Sequence, residues 1–463
     1  MPPSSFSDKL TSLCERIFSG EGEVNEFKRL TGGASMESWL FKYQDQDYVM
    51  RRLPEGVKDL EIEGRIPLAS EIAVIRAANL AGVKAPEILG ELLPSDDLGA
   101  GFIMECAKGE ALPYRIFKDA YFARAVPKLT QSCAEQLAKI HAIDLQNLSA
   151  LTHHSPQERL AMLEAEYRSY GKTIPVFELA FHRLENSIPE SSDTVLLHGD
   201  FRMGNILVDA KDITAVLDWE LASIGDPAQD LGYLCTPSWR FGQYDKKVGG
   251  FGDVDVLLSA YEASSGRKID KSALKFWMIY SSLWWGVCCL GMISLWRNGV
   301  EKTLERTVIG RRVSEVEADI LLLLEEMNAI QFQPLNWDFP KTSPAFGDSE
   351  DYEIQEALIS WIESSVIPNT EGRELFQARV AKNALGIVSR SAQFGPGFNK
   401  AQHNRLAKLE LTHEALCSGL RSGALSLNTQ GITPHLRLST LERLSVDQPK
   451  YAGLHAALMK WKQ

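Results

Sequence analysis

At 463 residues, with 44% hydrophobic and 24% charged side chains, the chain has globular composition and is too long for one ordinary core. Its 49 basic and 61 acidic residues give a net charge of −12, and no Lys/Arg block stands out, which argues against nucleic acid as a partner. Seven cysteines are scattered without a CxxC, and nine histidines lack metal-ligand spacing, which argues against a disulfide framework and a zinc site.

The N-terminus reads MPPSSFSDKL, with no basic stretch leading into an apolar one, so no secretory signal is expected and the chain is expected to be cytoplasmic. Strands are predicted at Glu26–Leu30, Ser38–Tyr43 and Tyr48–Arg52, with polar turns between them. A helix follows at Leu68–Ala81, stopped by Gly82, then two strands at Glu87–Leu92 and Gly101–Glu105. Cys106–Gly109 reads as a connector into a mainly helical region. Helices are predicted at Phe122–Ile143, Pro156–Tyr170, Asp255–Ser265, Lys271–Arg297 and Arg312–Met327. In the last, Val316, Ile320, Leu323 and Leu324 are expected inward, with Glu315, Glu317, Asp319, Glu325 and Glu326 outward. Phe276–Trp296 carries no charged residue, but it stands alone and holds several Ser and Gly. It is therefore expected to be a buried core helix and not a membrane span.

Three prolines and a loss of periodicity mark 331–350 as a linker. An all-helical pattern follows, clearest at Tyr352–Val366 and Thr370–Ser389, with Phe376, Val380, Ala384 and Ile387 on one face of the second. Gln393–Phe398 and Asn428–Pro434 read as loops.

The chemically informative stretch is Leu196–Asp230, LLHGDFRMGNILVDAKDITAVLDWELASIGDPAQD. Ile206–Val208 and Ile213–Leu217 are β-type runs around the polar turn Asp209–Asp212, which predicts a hairpin. Antiparallel pairing is expected to set Asn205 and Asp218, an amide and a carboxylate, side by side at the open end of the hairpin. Asp200 lies in the loop that enters the hairpin. Two oxygen ligands and a nearby carboxylate suit a hard cation such as Mg²⁺ and a proton acceptor for an attacking hydroxyl. Arg202 can aim its fork at a transferring phosphoryl group.

His198-Gly199-Asp200-x4-Asn205 followed by Leu217-Asp218-Trp219-Glu220 resembles the aminoglycoside phosphotransferase and choline kinase group. The form HGDFRMGN…VLDWELASIGDPAQDLGYL is most similar to the phosphotransferase domains fused to acyl-CoA dehydrogenases and their bacterial relatives. The resemblance implies an α+β, bilobal protein-kinase-like fold followed by an all-α C-terminal domain. It implies an N-lobe over 1–105, a C-lobe over 106–330, the linker and a helical domain over 351–463, whose likeness to a domain of unknown function rests on Pro368–Leu385.

By the same resemblance the chain is a kinase using ATP and Mg²⁺, with Asp200 as base, Arg202 near the γ-phosphate, and Asn205 and Asp218 on the metal. His198 would support the backbone at Asp218, and Asp230 would brace the catalytic loop. Gly32, Gly33 and Ser35 fall where a phosphate-covering loop belongs. Arg51 stands where protein kinases carry a lysine, Glu71 is its expected partner, and backbone groups of Glu105 and Cys106 would meet adenine. The expected acceptor is a hydroxylated small molecule such as a hydroxyacyl-CoA, an amino alcohol or a sugar, and homodimerisation stays open. A catalytically inactive nucleotide-binding scaffold is the competing reading. A protein kinase is disfavoured, because Asp218-Trp219-Glu220 replaces DFG and no APE-ended segment follows.

Overall fold

A computed structural model describes residues 6–461 of the protein except 19, 31–35, 54–64, 149, 191–192, 329–334, 336 and 338–348. In chain order the first elements are α1 (Phe6–Phe18), β1 (Asn25–Arg29), β2 (Glu37–Tyr43), β3 (Gln46–Arg52), α2 (Leu68–Leu80), β4 (Ile88–Glu91) and β5 (Gly101–Glu105). Then come α3 (Pro113–Lys118), α4 (Leu129–Ile140), α5 (Pro156–Ser169) and α6 (Pro175–Glu185). Short strands β6 (Val195–Leu197), β7 (Ile206–Val208), β8 (Ile213–Val216) and β9 (Ser223–Gly225) precede α7 (Ala228–Leu234) and α8 (Val254–Ser265). The long α9 (Lys271–Arg297), α10 (Leu304–Ile309) and α11 (Val313–Asn328) follow. The described chain ends with α12 (Asp351–Trp361), α13 (Gly372–Lys408), α14 (His413–Ser422), α15 (Ile432–Asp447) and α16 (Ala452–Trp461). The order is that of the expected α+β arrangement, strands first and an all-helical end.

The chain divides into two compact units. One holds Met1–Ser155, Glu190–Cys235 and Lys246–Leu274; the other holds Pro156–Pro189, Thr236–Asp245 and Lys275–Gln463. In the first unit, β1 to β5 form an antiparallel sheet in the order β1-β2-β3-β5-β4. Helix α1, absent from the predicted elements, buries Leu10, Leu13 and Cys14 against Phe41, Tyr43, Met50 and Ile103 of that sheet. Burial of this apolar set, not helix propensity, is what holds so short a helix in place. The helix predicted in one piece over Phe122–Ile143 is interrupted. Pro127 removes an N–H and crowds the preceding turn, so 3₁₀ turns at Ala120–Phe122 and Val126–Lys128 precede α4.

In the second unit, α9 buries Phe276, Trp277, Ile279, Leu283, Val287 and Cys289. It is the one helix among the described residues long and apolar enough to cross a membrane, and just over half of its most apolar stretch, 56%, is buried. Helix α11 departs from expectation: Glu315, Glu317, Asp319 and Glu325 are buried, and of the predicted outer face only Glu326 is exposed. The reason is that α15, α16 and Tyr451, which lies between them, supply partners to Glu317, Asp319 and Glu325, while Arg312 pairs with Glu315 (3.0 Å). Arg437 Nε donates to Glu325 Oε1 (2.7 Å), Trp461 Nε1 to Glu325 Oε2 (2.8 Å), Arg443 pairs with Glu317, and Tyr451 Oη donates to Asp319 Oδ2 (2.6 Å).

Helix α13 also runs through the loop predicted at Gln393–Phe398, with Pro396 inside it. Packing of the buried Phe398 overrides the local breakers Gly395 and Pro396. Of its predicted apolar face, Ile387 is buried and Phe376 is exposed. Most of the predicted linker lies outside the described residues. Within it, Leu335 N donates to Trp461 O (3.1 Å).

Candidate active site

The site lies in the first unit and begins on the sheet. On β3, Arg51 is paired with Ser38 of β2 and Phe102 of β5, and alternation along the strand turns it and Arg52 to opposite faces. Arg52 binds Glu37 and Leu98 O. Arg51 instead reaches the fully buried Glu71 in the first turn of α2 (Nη1 to Oε1 3.3 Å) and Asp218 (Nη2 to Oδ1 3.1 Å). Burial alone would weaken its charge, but Glu71, Asp218 and Glu220 together raise its pKa.

The loop after β6 is fixed from below by one acid. Asp230, in the first turn of α7, accepts from His198 N (Oδ2, 2.8 Å) and Gly199 N (Oδ1, 3.0 Å), and its Oδ2 also meets His141 Nε2 (3.2 Å). Burial would raise its pKa, yet His141 and these donors hold it below the usual carboxylate value. Gly199 has φ 83°, and a Cβ there would stand 2.2 Å from Leu221 O, so the sharp turn admits glycine alone. His198 is buried, which lowers its pKa; its Nε2 meets Leu217 O (3.1 Å), on the peptide that leads into Asp218.

Asp200 then stands where donors converge on it. Oδ1 accepts from Tyr233 Oη (2.6 Å) and Arg202 Nε (2.9 Å), and Oδ2 accepts from Asn205 Nδ2 (2.5 Å). Arg202 thus spends its Nε on Asp200, and Nη1 on Met203 O (3.2 Å). The hairpin forms, but its register sets Leu217, not Asp218, against Asn205: Ile206 faces Val216, a bulge interrupts Leu207/Val208, and Leu217 N donates to Asn205 O (2.7 Å). Asp218 is therefore one residue past the position opposite Asn205. It takes the left-handed conformation, φ 65°, which an Asp tolerates better than most residues and which is common at functional positions.

The phosphotransferase enzyme family matches over residues 26–261, about half of the chain and the stretch that carries every residue just described. The chain belongs to that family. A domain of unknown function, DUF6285, matches residues 368–451. Acyl-CoA dehydrogenase family member 10 of Mus musculus is 26% identical over 55% of this chain and 24% of its own length. Acyl-CoA dehydrogenase family member 11 of Pongo abelii is 25% identical over 61% of this chain and 38% of its own length. The chain thus spans about a quarter to two-fifths of these curated relatives. A Ralstonia eutropha crystal structure described as an aminoglycoside phosphotransferase superposes with a TM-score of 0.55 at 21% identity, covering 66% of this chain and 94% of that one, which shows a shared fold.

In this phosphotransferase, sequence reasoning missed several residues around the loop. Tyr233 lies three residues after Asp230 on α7, a spacing that shares a helix face, and that signal could have found it. His141, whose Nδ1 meets Tyr261 Oη (2.7 Å), had no local signal. Nor had Arg65, whose Nη2 donates to Glu71 Oε2 (2.7 Å), so Glu71 is shared between two guanidinium groups. At the connector, Glu105 N donates to Glu87 O (3.0 Å), so that N–H is spent within the sheet, and Cys106 is half-buried beyond it. Glu110 exchanges hydrogen bonds with Val208 (2.9 and 3.0 Å), tying the connector to the hairpin. The expected phosphate-covering residues Gly32, Gly33 and Ser35 lie outside the described residues.

No group of three His, Cys, Asp or Glu side chains among the described residues converges as a metal site. The chemistry of Asn205 and Asp218 nevertheless fits a hard cation. The amide spends its N–H donors on Asp200, and no described residue donates to Asn205 Oδ1 or Asp218 Oδ2. One amide and one carboxylate oxygen leave the remaining positions to phosphate and water, as Mg²⁺ prefers.

Proposed function

We propose that the chain uses ATP to phosphorylate a hydroxyl of a small molecule. The reading is carried by Asp200, gripped by Tyr233, Arg202 and Asn205 next to the Arg51–Asp218 contact. Phosphoryl transfer needs positioning and charge neutralisation more than covalent chemistry. Asp200 orients the acceptor hydroxyl and takes its proton on Oδ2, the oxygen that carries a single side-chain donor. Arg51, backed by Glu71, and Arg202 hold phosphate oxygens. Asn205 and Asp218 would hold Mg²⁺, which supplies further neutralisation of the outer phosphates. Backbone groups of Gly32, Gly33 and Ser35 cover the phosphates, and those of Glu105 and Cys106 meet adenine. The acyl-CoA dehydrogenase names of the relatives make a hydroxyacyl-CoA the first acceptor to try, ahead of amino alcohols and sugars.

ADP release measured over such a panel, with wild type and Asp200→Asn, tests this. One acceptor should raise ADP release in wild type, and the substitution should lower that rate about 10²–10⁴-fold. Nucleotide binding without Asp200-dependent turnover on any acceptor would overturn it in favour of an inactive scaffold.

A further inference from the structure

A second site can be argued in the helical unit, built from none of the residues of the candidate active site. A cavity of about 490 Å³ opens among α9, α11, α13 and α15, a size that takes a small metabolite. Part of its wall is apolar, from Leu290, Val313, Phe398 and Val446. Gly395, on α13, leaves space: a Cβ there would meet nothing nearer than Ser391 Oγ at 3.7 Å.

The charges around it do not balance. Each acid already has a cation. Asp447 Oδ1 accepts from Arg311 Nε (2.6 Å), Glu317 pairs with Arg443, and both oxygens of Glu442 are taken by Arg405 (2.7 and 2.6 Å). Lys172, which lines the cavity, and Arg390 are left over, and neither has an acid within ion-pair reach among the described residues. Arg390 Nε donates to Val446 O (2.7 Å). Its pKa is pushed down by burial, and the nearby Arg311 pushes it further, against the pull of Asp447. Arg311 commits its Nε–Nη2 edge to Asp447, so the uncompensated charge is that of Lys172 and Arg390, which gains from a bound anion. The excess is local, since the chain as a whole carries −12.

We propose that this cavity binds a small organic anion, a carboxylate or phosphate monoester on an apolar body. Lys172 takes the anionic end, the uncompensated charge of Arg390, held to Val446 O of the wall, adds to the attraction, and Val313 and Phe398 meet the apolar part. The partly apolar wall separates it from a bare inorganic-anion site.

Calorimetric titration of the full chain tests this with octanoate, octyl phosphate, octylammonium and inorganic phosphate as probes. Octanoate or octyl phosphate should bind with one-to-one stoichiometry and at least tenfold tighter than octylammonium; whichever binds tighter identifies the head group. Lys172→Glu, an exposed position, should weaken binding roughly tenfold, and Gly395→Leu, which fills the space, should weaken it at least as much. Melting curves identify any variant that fails to fold, and Lys172→Glu alone then decides. Equal binding of octylammonium, indifference to Lys172→Glu, or no binding of either amphiphilic anion would overturn the proposal. Inorganic phosphate binding as tightly as octyl phosphate would overturn its apolar half.

Discussion

Asp230 and Asp319 are both fully buried acids, one in each unit, yet their carboxyl groups are displaced in opposite directions. Asp230 is held below the usual range against its burial, chiefly by His141 and further by the backbone N–H groups that both its oxygens accept from. Asp319 is pushed up to about 7 by burial. Its Oδ2 accepts from Tyr451 and Ser238, but its Oδ1 has no hydrogen bond. Burial is equal; the number of donors decides whether the charged form survives it. The catalytic loop is thus built around a fixed charge. The helical unit holds an acid that is near its own titration point at neutral pH.

The largest expected effect lies on the Asp230 side. Asp230→Ala leaves the buried N–H groups of His198 and Gly199 without an acceptor, at about 1–3 kcal/mol each. Thermal unfolding should report a loss of roughly 3–5 kcal/mol, and phosphotransfer should fall because Asp200 is two residues from His198. A melt within about 1 kcal/mol of wild type would mean that other contacts shape the loop. Next is Arg437→Ala in the other unit. Arg437 and Glu325 are 4% and 2% exposed, so the substitution leaves the buried Glu325 with Trp461 Nε1 and the more distant Lys460 Nζ (3.7 Å), for which about 3 kcal/mol is expected. Chemical denaturation should show the loss, and Arg437→Met paired with Glu325→Leu should recover most of it. Failure of that pair to recover would point to packing, not charge, as the role of Arg437.

What was legible in the sequence follows the same division. Asp200, Asn205 and Asp218 lie within one stretch whose strands and turn are local, so spacing brought them together, whereas His198 and Asp230 were placed by the family resemblance. The register was not legible: counting from the turn sets Val216 against Asn205, and the bulge at Leu207/Val208, which depends on packing along the strand, moves the pairing on to Leu217, next to Asp218. Nor was the closeness of Gly199 to Leu221 O, which makes glycine necessary at that turn. On α11 the apolar stripe was read correctly and its acids were not. Their partners Arg437, Arg443 and Tyr451 lie more than a hundred residues on, and a charged helix face looks the same whether water or a paired helix covers it. Helix α13 was cut short for a related reason, since Gly395 and Pro396 are local breakers and the buried Phe398 is a tertiary fact.

The smallest effect is also the sharpest test of the comparison. The folded carboxyls of Asp319 and Glu317 both titrate at about 7, above their ordinary values of 3.8 and 4.5. A raised acid binds its proton more tightly when folded, so its contribution is complete below the ordinary value and is lost as pH rises through about 7. Asp230 runs the other way: its contribution is present above the ordinary value and is lost as pH falls through its lowered one. Hydrogen exchange, corrected for intrinsic rate, should therefore show α11 opening more easily at pH 8 than at pH 6, while α7 changes little over that window. Asp319→Asn should flatten that response in part, with Glu317→Gln removing most of the remainder. The gain in stability at pH 8 should be only about 1 kcal/mol, because the amide places an N–H where Oδ1 now lacks a partner and that group has its own cost. Equal slopes in wild type and the double variant would show that these two acids are not what titrates, and the contrast with Asp230 would lose its basis.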